Sequence, residues 1–202
     1  MSSTTTSGWD VLDEAHQALR AAVTAVPAGG WDLPTPCAGW SVTHVLQHAA
    51  GDQLGFASAL TGEPGPQFDP FSPSGVLAED PRAFLEAALT RSAAAWAGVD
   101  RDAAEVPTPV PPHKMAPWSG MAACALDAGV HAWDIAVAAG APSPLTPELA
   151  RPLLQVAREI VEPLRAWGAY AAALAPAQDD DDVAALLRYL GRDPHWRPAT
   201  AS

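Results

Sequence analysis

Apolar residues recur along the chain at helical rather than strand spacing. The first set is Trp9, Leu12, Leu19, Val23 and Val26, the period of one helix face. Residues 27–30 end that helix, and 31–40, with Pro34 and Pro36, read as a loop. Ser41 is a good N-cap for a second helix, predicted over about 42–60. Asp80 caps a third, with Pro81 in its first turn and Phe84, Leu85, Leu89 and Trp96 as apolar positions. A fourth is predicted over about 119–139, stopping at Gly140. Thr146 and Pro147 start a fifth, whose stripe is Leu149, Leu153, Val156 and Ile160, and Pro163 is expected to end or kink it. The acidic run 179–182 suits the positive end of a last short helix over 183–190.

Two proline-rich stretches, about 62–81 and 100–117, read as long loops, which in compact domains are usually functional. There is no alternating strand pattern, no repeat and no break in composition. The expected fold is therefore all-α. It comprises a mobile polar lead over 1–8 and one domain over 9–202, with four principal helices, additional short helices and long Pro-rich crossover loops.

Composition narrows the function. The 202 residues suit one domain, and 44 alanines favour helix. The excess of 23 acidic over 11 basic residues gives a net charge of −12. That argues against nucleic acid or an anionic membrane as partner, since both need a basic face. Cys37 and Cys124 form neither a disulfide framework nor a CxxC pair, so a reducing cytoplasm is expected. The N-terminus has no basic or apolar stretch, and no run of 18 apolar residues occurs, so neither a signal peptide nor a membrane span is expected.

The candidate chemistry lies on the second and fourth helices. Asp127 and His131 are four residues apart, so a carboxylate and an imidazole face one point. Cys124 and Asp134 share their stripe, among small apolar neighbours. Buried, such a row needs partners or a metal; the plainer reading is a helix pair with no metal. His44 and His48 are also four apart. Either, joined to Asp127 and His131, would supply the three ligands of an open divalent-metal site built between two helices of a bundle.

The run Pro36-Cys37-Ala38-Gly39-Trp40-Ser41-Val42, followed by Leu46 and His48, resembles the start of the second helix in DinB-like metal-binding bundles. The similar branch is the N-terminal domain of mycothiol-dependent maleylpyruvate isomerases. His131-Ala132-Trp133-Asp134-Ile135-Ala136 resembles its His-x-Trp-Asp-x-Ala signature, and Leu190-Gly191-Arg192-Asp193-Pro194, then Trp196, resembles the actinobacterial subfamily. The resemblance spans about 9–196. It implies a DinB-like four-helix bundle with a divalent metal on His48, Asp127 and His131: zinc first, with nickel or manganese as alternatives. Asp127 stands where the isomerases often have Glu, and His44 where the family is usually acidic. The isomerases carry a second, C-terminal domain for which this chain, ending at Ser202, is expected to leave no room.

The remaining polar and aromatic residues receive lesser roles. His44 is a candidate fourth ligand, positioning residue or general base, and Asp134 is expected to orient a neighbour. Trp40, Trp133 and His113 are candidate substrate contacts, with packing the simpler account of both tryptophans. Lys114 shares the loop of His113. His16 is expected at a bundle edge and His195 in a structural role. No catalytic nucleophile is proposed, because Cys37 has no base adjacent in sequence. The leading expectation is a metal-dependent enzyme on a small organic substrate, with mycothiol as cofactor in a transfer or isomerisation. The alternatives are a thiol-independent hydrolase, lyase or cyclase, and a non-catalytic metal- or ligand-binding module. The chain is expected to be a monomer or homodimer.

Overall fold

The computed structural model describes residues 5–166 and 168–198. Six helices follow in order: α1 (Asp10–Ala25), α2 (Val42–Thr61), α3 (Pro81–Ala97), α4 (Pro117–Ala138), α5 (Pro147–Ala166) and α6 (Asp182–Tyr189). A 3₁₀ turn, Gly30–Asp32, precedes α2. Two short antiparallel strands, β1 (Val106–Pro107) and β2 (Lys114–Met115), lie in the second proline-rich loop. Two-residue strands are too short to carry an alternating pattern. The fold is all-α, as expected.

Helices α1 to α4 form the bundle. α1 packs chiefly on α4, α2 packs on α3 and α4, and α5 lies across α4 with α6 on its far side. α4 is central because of its composition. Its residues are Ala, Gly, Cys, Val and Leu on nearly every face, and a helix apolar all round must be buried all round. It is the one described helix long and apolar enough to cross a membrane, but 89% of its apolar window is buried inside the protein. The small side chains let three neighbours approach its backbone: Leu153 of α5, Leu145 before it and Ala15 of α1 all converge on Gly129.

The local signals account for most boundaries. Asp80 accepts from the backbone N–H groups of Arg82 and Ala83 to cap α3, and Asp181 accepts from Ala184 to cap α6. Asp180 pairs with Arg188 and Asp182 with Arg151, so the acidic run is used in capping and ion pairs. Pro163 does not end α5, which continues to Ala166; its apolar stripe, buried from Leu149 to Leu164, outweighs the one backbone bond that proline removes. The expected lead lies partly outside the described residues, at 1–4. Ser7 within it is packed rather than mobile: it is buried, and its N–H and hydroxyl both donate to Asp13 Oδ1 at 2.8 Å.

His16 is not at a bundle edge. It is 1% exposed, and its Nε2 donates to Gln53 Oε1 at 2.8 Å. The same oxygen accepts from Ser92 Oγ at 2.9 Å and Cys124 Sγ at 3.1 Å. One amide thus joins α1, α2, α3 and α4. Burial lowers the His16 pKa to about 4, and the hydrogen bond to Gln53 opposes this only in part. Between about pH 4 and 6.5 the unfolded chain therefore binds the proton that the folded chain refuses, so folding stability rises with pH across that window. Urea denaturation from pH 7 to pH 4 should lose on the order of 3 kcal/mol from this group alone. The His16→Gln variant should show a correspondingly flatter profile, and equal slopes in both proteins would refute the assignment.

Candidate metal centre

His48 of α2 and Asp127 and His131 of α4 come together at one place, their ligand atoms all within 4.8 Å of one another. His48 Nε2 lies 3.1 Å from Asp127 Oδ2, and His131 Nε2 lies 3.4 Å from the same oxygen. The two rings stand edge to face, with centroids 4.8 Å apart. Both histidines are more than nine-tenths buried.

Hydrogen bonding fixes which nitrogen of each ring faces inward. His48 Nδ1 is 2.9 Å from the Pro70 carbonyl. That oxygen can only accept, so Nδ1 carries the hydrogen. His131 Nδ1 is 2.9 Å from Asp134 Oδ2 and donates in the same way. In the neutral imidazoles both Nε2 lone pairs then point at the Asp127 carboxylate, itself an acceptor. Three lone-pair donors converging in a dry site repel unless a proton or a cation lies among them. Asp127 Oδ1 is buried with no hydrogen-bond partner. The donor set fits a divalent metal, with outer acceptors that hold each imidazole in the ligating tautomer.

The charges follow. Burial pushes the Asp127 carboxyl up, but the imidazoles of His131 and His48 outweigh it and hold the group well below the ordinary carboxylate range. Burial lowers the His131 pKa; the charge of Asp127, then the ring's hydrogen bonds to Asp127 and Asp134 and its contact with Cys37, reverse that and raise it well above its usual value. Asp134 is fully buried. Burial raises its pKa, and the Arg192 guanidinium more than offsets this and keeps it ionised. That pair is bidentate: Arg192 Nε donates to Oδ1 at 2.9 Å and Nη2 to Oδ2 at 2.8 Å. Cys37 Sγ adds a donor to Oδ2 at 3.2 Å. Cys37, His131 and Asp134 also form a compact donor group. They make a poorer metal site, because Asp134 is consumed by Arg192 and the guanidinium would repel a cation.

The triad lines a cavity of about 870 Å³ whose walls come from α2, α4, α5, the two proline-rich loops, the segment before α2 and the segments on either side of α6. Trp40 and Phe71 flank His48, with centroids at 5.2 and 5.6 Å. Phe56, Ile160, Leu164 and Tyr170 extend the apolar wall. The second proline-rich loop supplies 109–111 and His113. His113 adopts φ 69°; its N–H donates to the Val110 carbonyl and its own carbonyl accepts from Thr108, which folds the loop over the cavity. The first supplies Phe71, and Pro70 beside it lies against α2. Gly51 of α2 permits that approach, since a Cβ there would stand 2.7 Å from Pro70 Cγ.

Of the sequence candidates, Trp40 and His113 line the cavity, and Asp134 orients His131. His44 does not reach it. It sits in the first turn of α2 in a capping box with Ser41: its Nδ1 accepts from the Ser41 N–H at 3.2 Å and lies 2.8 Å from the Ser41 hydroxyl. Its ring packs against Gly75, where any Cβ would collide. Trp133 is buried and outside the lining, so it packs. His195 is exposed. Sequence reasoning missed Asp52, which lines the cavity one turn beyond His48; the i,i+4 spacing was its signal. It also gave no role to Arg192, whose partner lies 58 residues earlier.

Replacing Arg192 by Met should leave a buried, uncompensated carboxylate. The expected cost is about 3–5 kcal/mol, read as a lower urea midpoint; a loss under about 1 kcal/mol would show that the pair is not buried as described.

Comparison with known proteins gives one family and two relatives. The family model described as the mycothiol maleylpyruvate isomerase N-terminal domain matches residues 12–136. Uncharacterized proteins from the CDC 1551 and H37Rv strains of Mycobacterium tuberculosis are each 33% identical over 152 residues, 74% of this chain and 75% of each relative. No solved structure is significantly similar.

Proposed function

The chain belongs to the mycothiol maleylpyruvate isomerase N-terminal domain family, and from this we propose that it is a divalent-metal-dependent enzyme that acts on a small organic molecule with a thiol cofactor. The observation that carries the reading is the meeting of three metal-ligating atoms, His48 Nε2, His131 Nε2 and Asp127 Oδ2, in the wall of a large cavity. A divalent cation held there would favour the thiolate form of a bound thiol or polarise a substrate carbonyl. Zinc suits two imidazoles and one carboxylate with a position left open; nickel and manganese are the alternatives.

The chain's own residues supply the rest. Asp134 and the Pro70 carbonyl hold the two imidazoles in the ligating tautomer. Trp40 and Phe71 offer apolar faces beside His48 to the organic part of a ligand. The two loops over the cavity reduce the water that competes for an electrophile. Both described cysteines are free, which supports a reducing compartment.

Elemental analysis of the purified protein should find close to one divalent metal per chain, and none in His48→Ala or His131→Ala. Asp134→Asn should weaken metal binding about 10–100-fold and, because it leaves the Arg192 guanidinium unpaired, should also lower stability as Arg192→Met does. Less than about a tenth of an equivalent after reconstitution with zinc, nickel and manganese would sink the triad. Consumption of an electrophilic acceptor should require mycothiol; a thiol-independent rate on a metal-loaded protein would move the assignment to hydrolysis, lyase or cyclase chemistry.

A further inference from the structure

Almost every buried polar group around the cavity has a protein partner. Arg192, Cys37 and His131 Nδ1 share Asp134. His48 Nδ1 has Pro70, and Asp127 Oδ2 has both imidazoles. Two carboxyl groups are exceptions: Asp127 Oδ1, which belongs to the triad itself, and Asp52. The Asp52 side chain is more than nine-tenths buried, it lines the cavity, and among the described residues its carboxyl makes no hydrogen bond or ion pair. Burial, and then the nearby charge of Asp127, push its pKa well up. A buried carboxyl with no partner costs stability. It is expected to persist where a ligand completes it.

Its placement says which ligand. α2 contributes His48 and Asp52 four residues apart, and α4 contributes Asp127 and His131 four apart. Two i,i+4 His/Asp pairs therefore face one space from two helices. Asp52 is nevertheless not one of the three residues whose ligand atoms gather within 4.8 Å. It shares the cavity wall with the triad but lies outside that ligand set.

We propose that Asp52 is a positioning residue, which hydrogen-bonds the head group of the thiol or substrate bound beside His48, Asp127 and His131 and is retained at a cost to stability. This rests on the metal reading above and deepens it. Two consequences separate Asp52 from a structural residue. Replacing it with the isosteric, apolar Leu should stabilise the fold, since nothing in the protein loses a partner. The same change should weaken thiol binding without affecting metal binding.

The test uses the full chain loaded with Co²⁺, in wild type, Asp52→Leu and Asp52→Asn, with metal content measured by elemental analysis. Each is titrated with 2-mercaptoethanol and followed by the sulfur-to-cobalt charge-transfer band; melting temperatures are taken in parallel. Asp52→Leu should hold Co²⁺ as wild type does, melt about 2–4 °C higher, and bind the thiol at least tenfold more weakly. Asp52→Asn, which keeps a hydrogen-bonding head, should stay within about threefold of wild type. Thiol affinity unchanged in Asp52→Leu, or loss of its metal or its fold, would overturn the proposal while leaving the triad standing. A wild-type chain that takes up no Co²⁺ would overturn the metal reading itself. One that takes up Co²⁺ but gives no charge-transfer band would remove the thiol reading and this inference together.

Discussion

The buried carboxylate of Asp134 is the point on which the site depends. One fully enclosed charge must be neutralised, and the fold brings three distant pieces of chain to do it: Arg192 from beyond α6, Cys37 from the loop before α2, and His131 from one turn earlier on α4. Removing such a charge from water is costly, and only a bidentate guanidinium with further donors makes its burial tolerable. The same contacts place Cys37 and Arg192 in the cavity wall and orient the His131 ring. Stability and site geometry here share one ion pair.

The composition of α4 makes this possible. A central helix of Ala, Gly and other small residues lets α1, α2 and α5 lie close to its backbone, and the polar residues it carries are then forced into enclosed spaces. Each has a defined answer. Asp127 meets two imidazoles and Asp134 meets Arg192, while Cys124 shares the Gln53 amide with Ser92 and His16. The last network, whose members do not line the cavity, ties the four bundle helices together through one amide oxygen. The cavity network instead gathers three metal-ligating atoms and leaves Asp127 Oδ1 and the Asp52 carboxyl without protein partners, which is the difference between a polar core and a binding site.

The loops complete what the helices begin. The two proline-rich segments carry few apolar anchors of their own, yet they place Phe71 and His113 at the cavity and the Pro70 carbonyl on His48 Nδ1. Prolines restrict these segments in the unfolded chain and so lower the cost of ordering them. The absence of side chains at Gly51 and Gly75 lets the first loop lie flat on α2. The structure spends its small residues where chain must approach chain, on α4 and under this loop.

Much of this architecture was readable along the chain. Local rules determined it: the helical period of apolar residues, the caps Ser41, Asp80 and Asp181, the prolines that open helices, and the i,i+4 spacing of Asp127 and His131. All act within a turn or two of helix, so the order of residues alone specifies them. Tertiary structure decided what depends on separation across the fold. His44 and His48 are equivalent in spacing, yet a hydrogen bond to Ser41 turns one into a cap and the Pro70 carbonyl turns the other toward Asp127. His16 became core because its face of α1 meets Gln53 of α2. Pro163 stayed within α5 because the packed stripe outweighs one missing bond. Arg192 and Asp52 gained their places only when α2, α4 and the C-terminal segment met around one cavity. A pattern within one helix states which residues share a face, but burial and charge compensation are set by what lies opposite, and that is fixed only by the assembled fold.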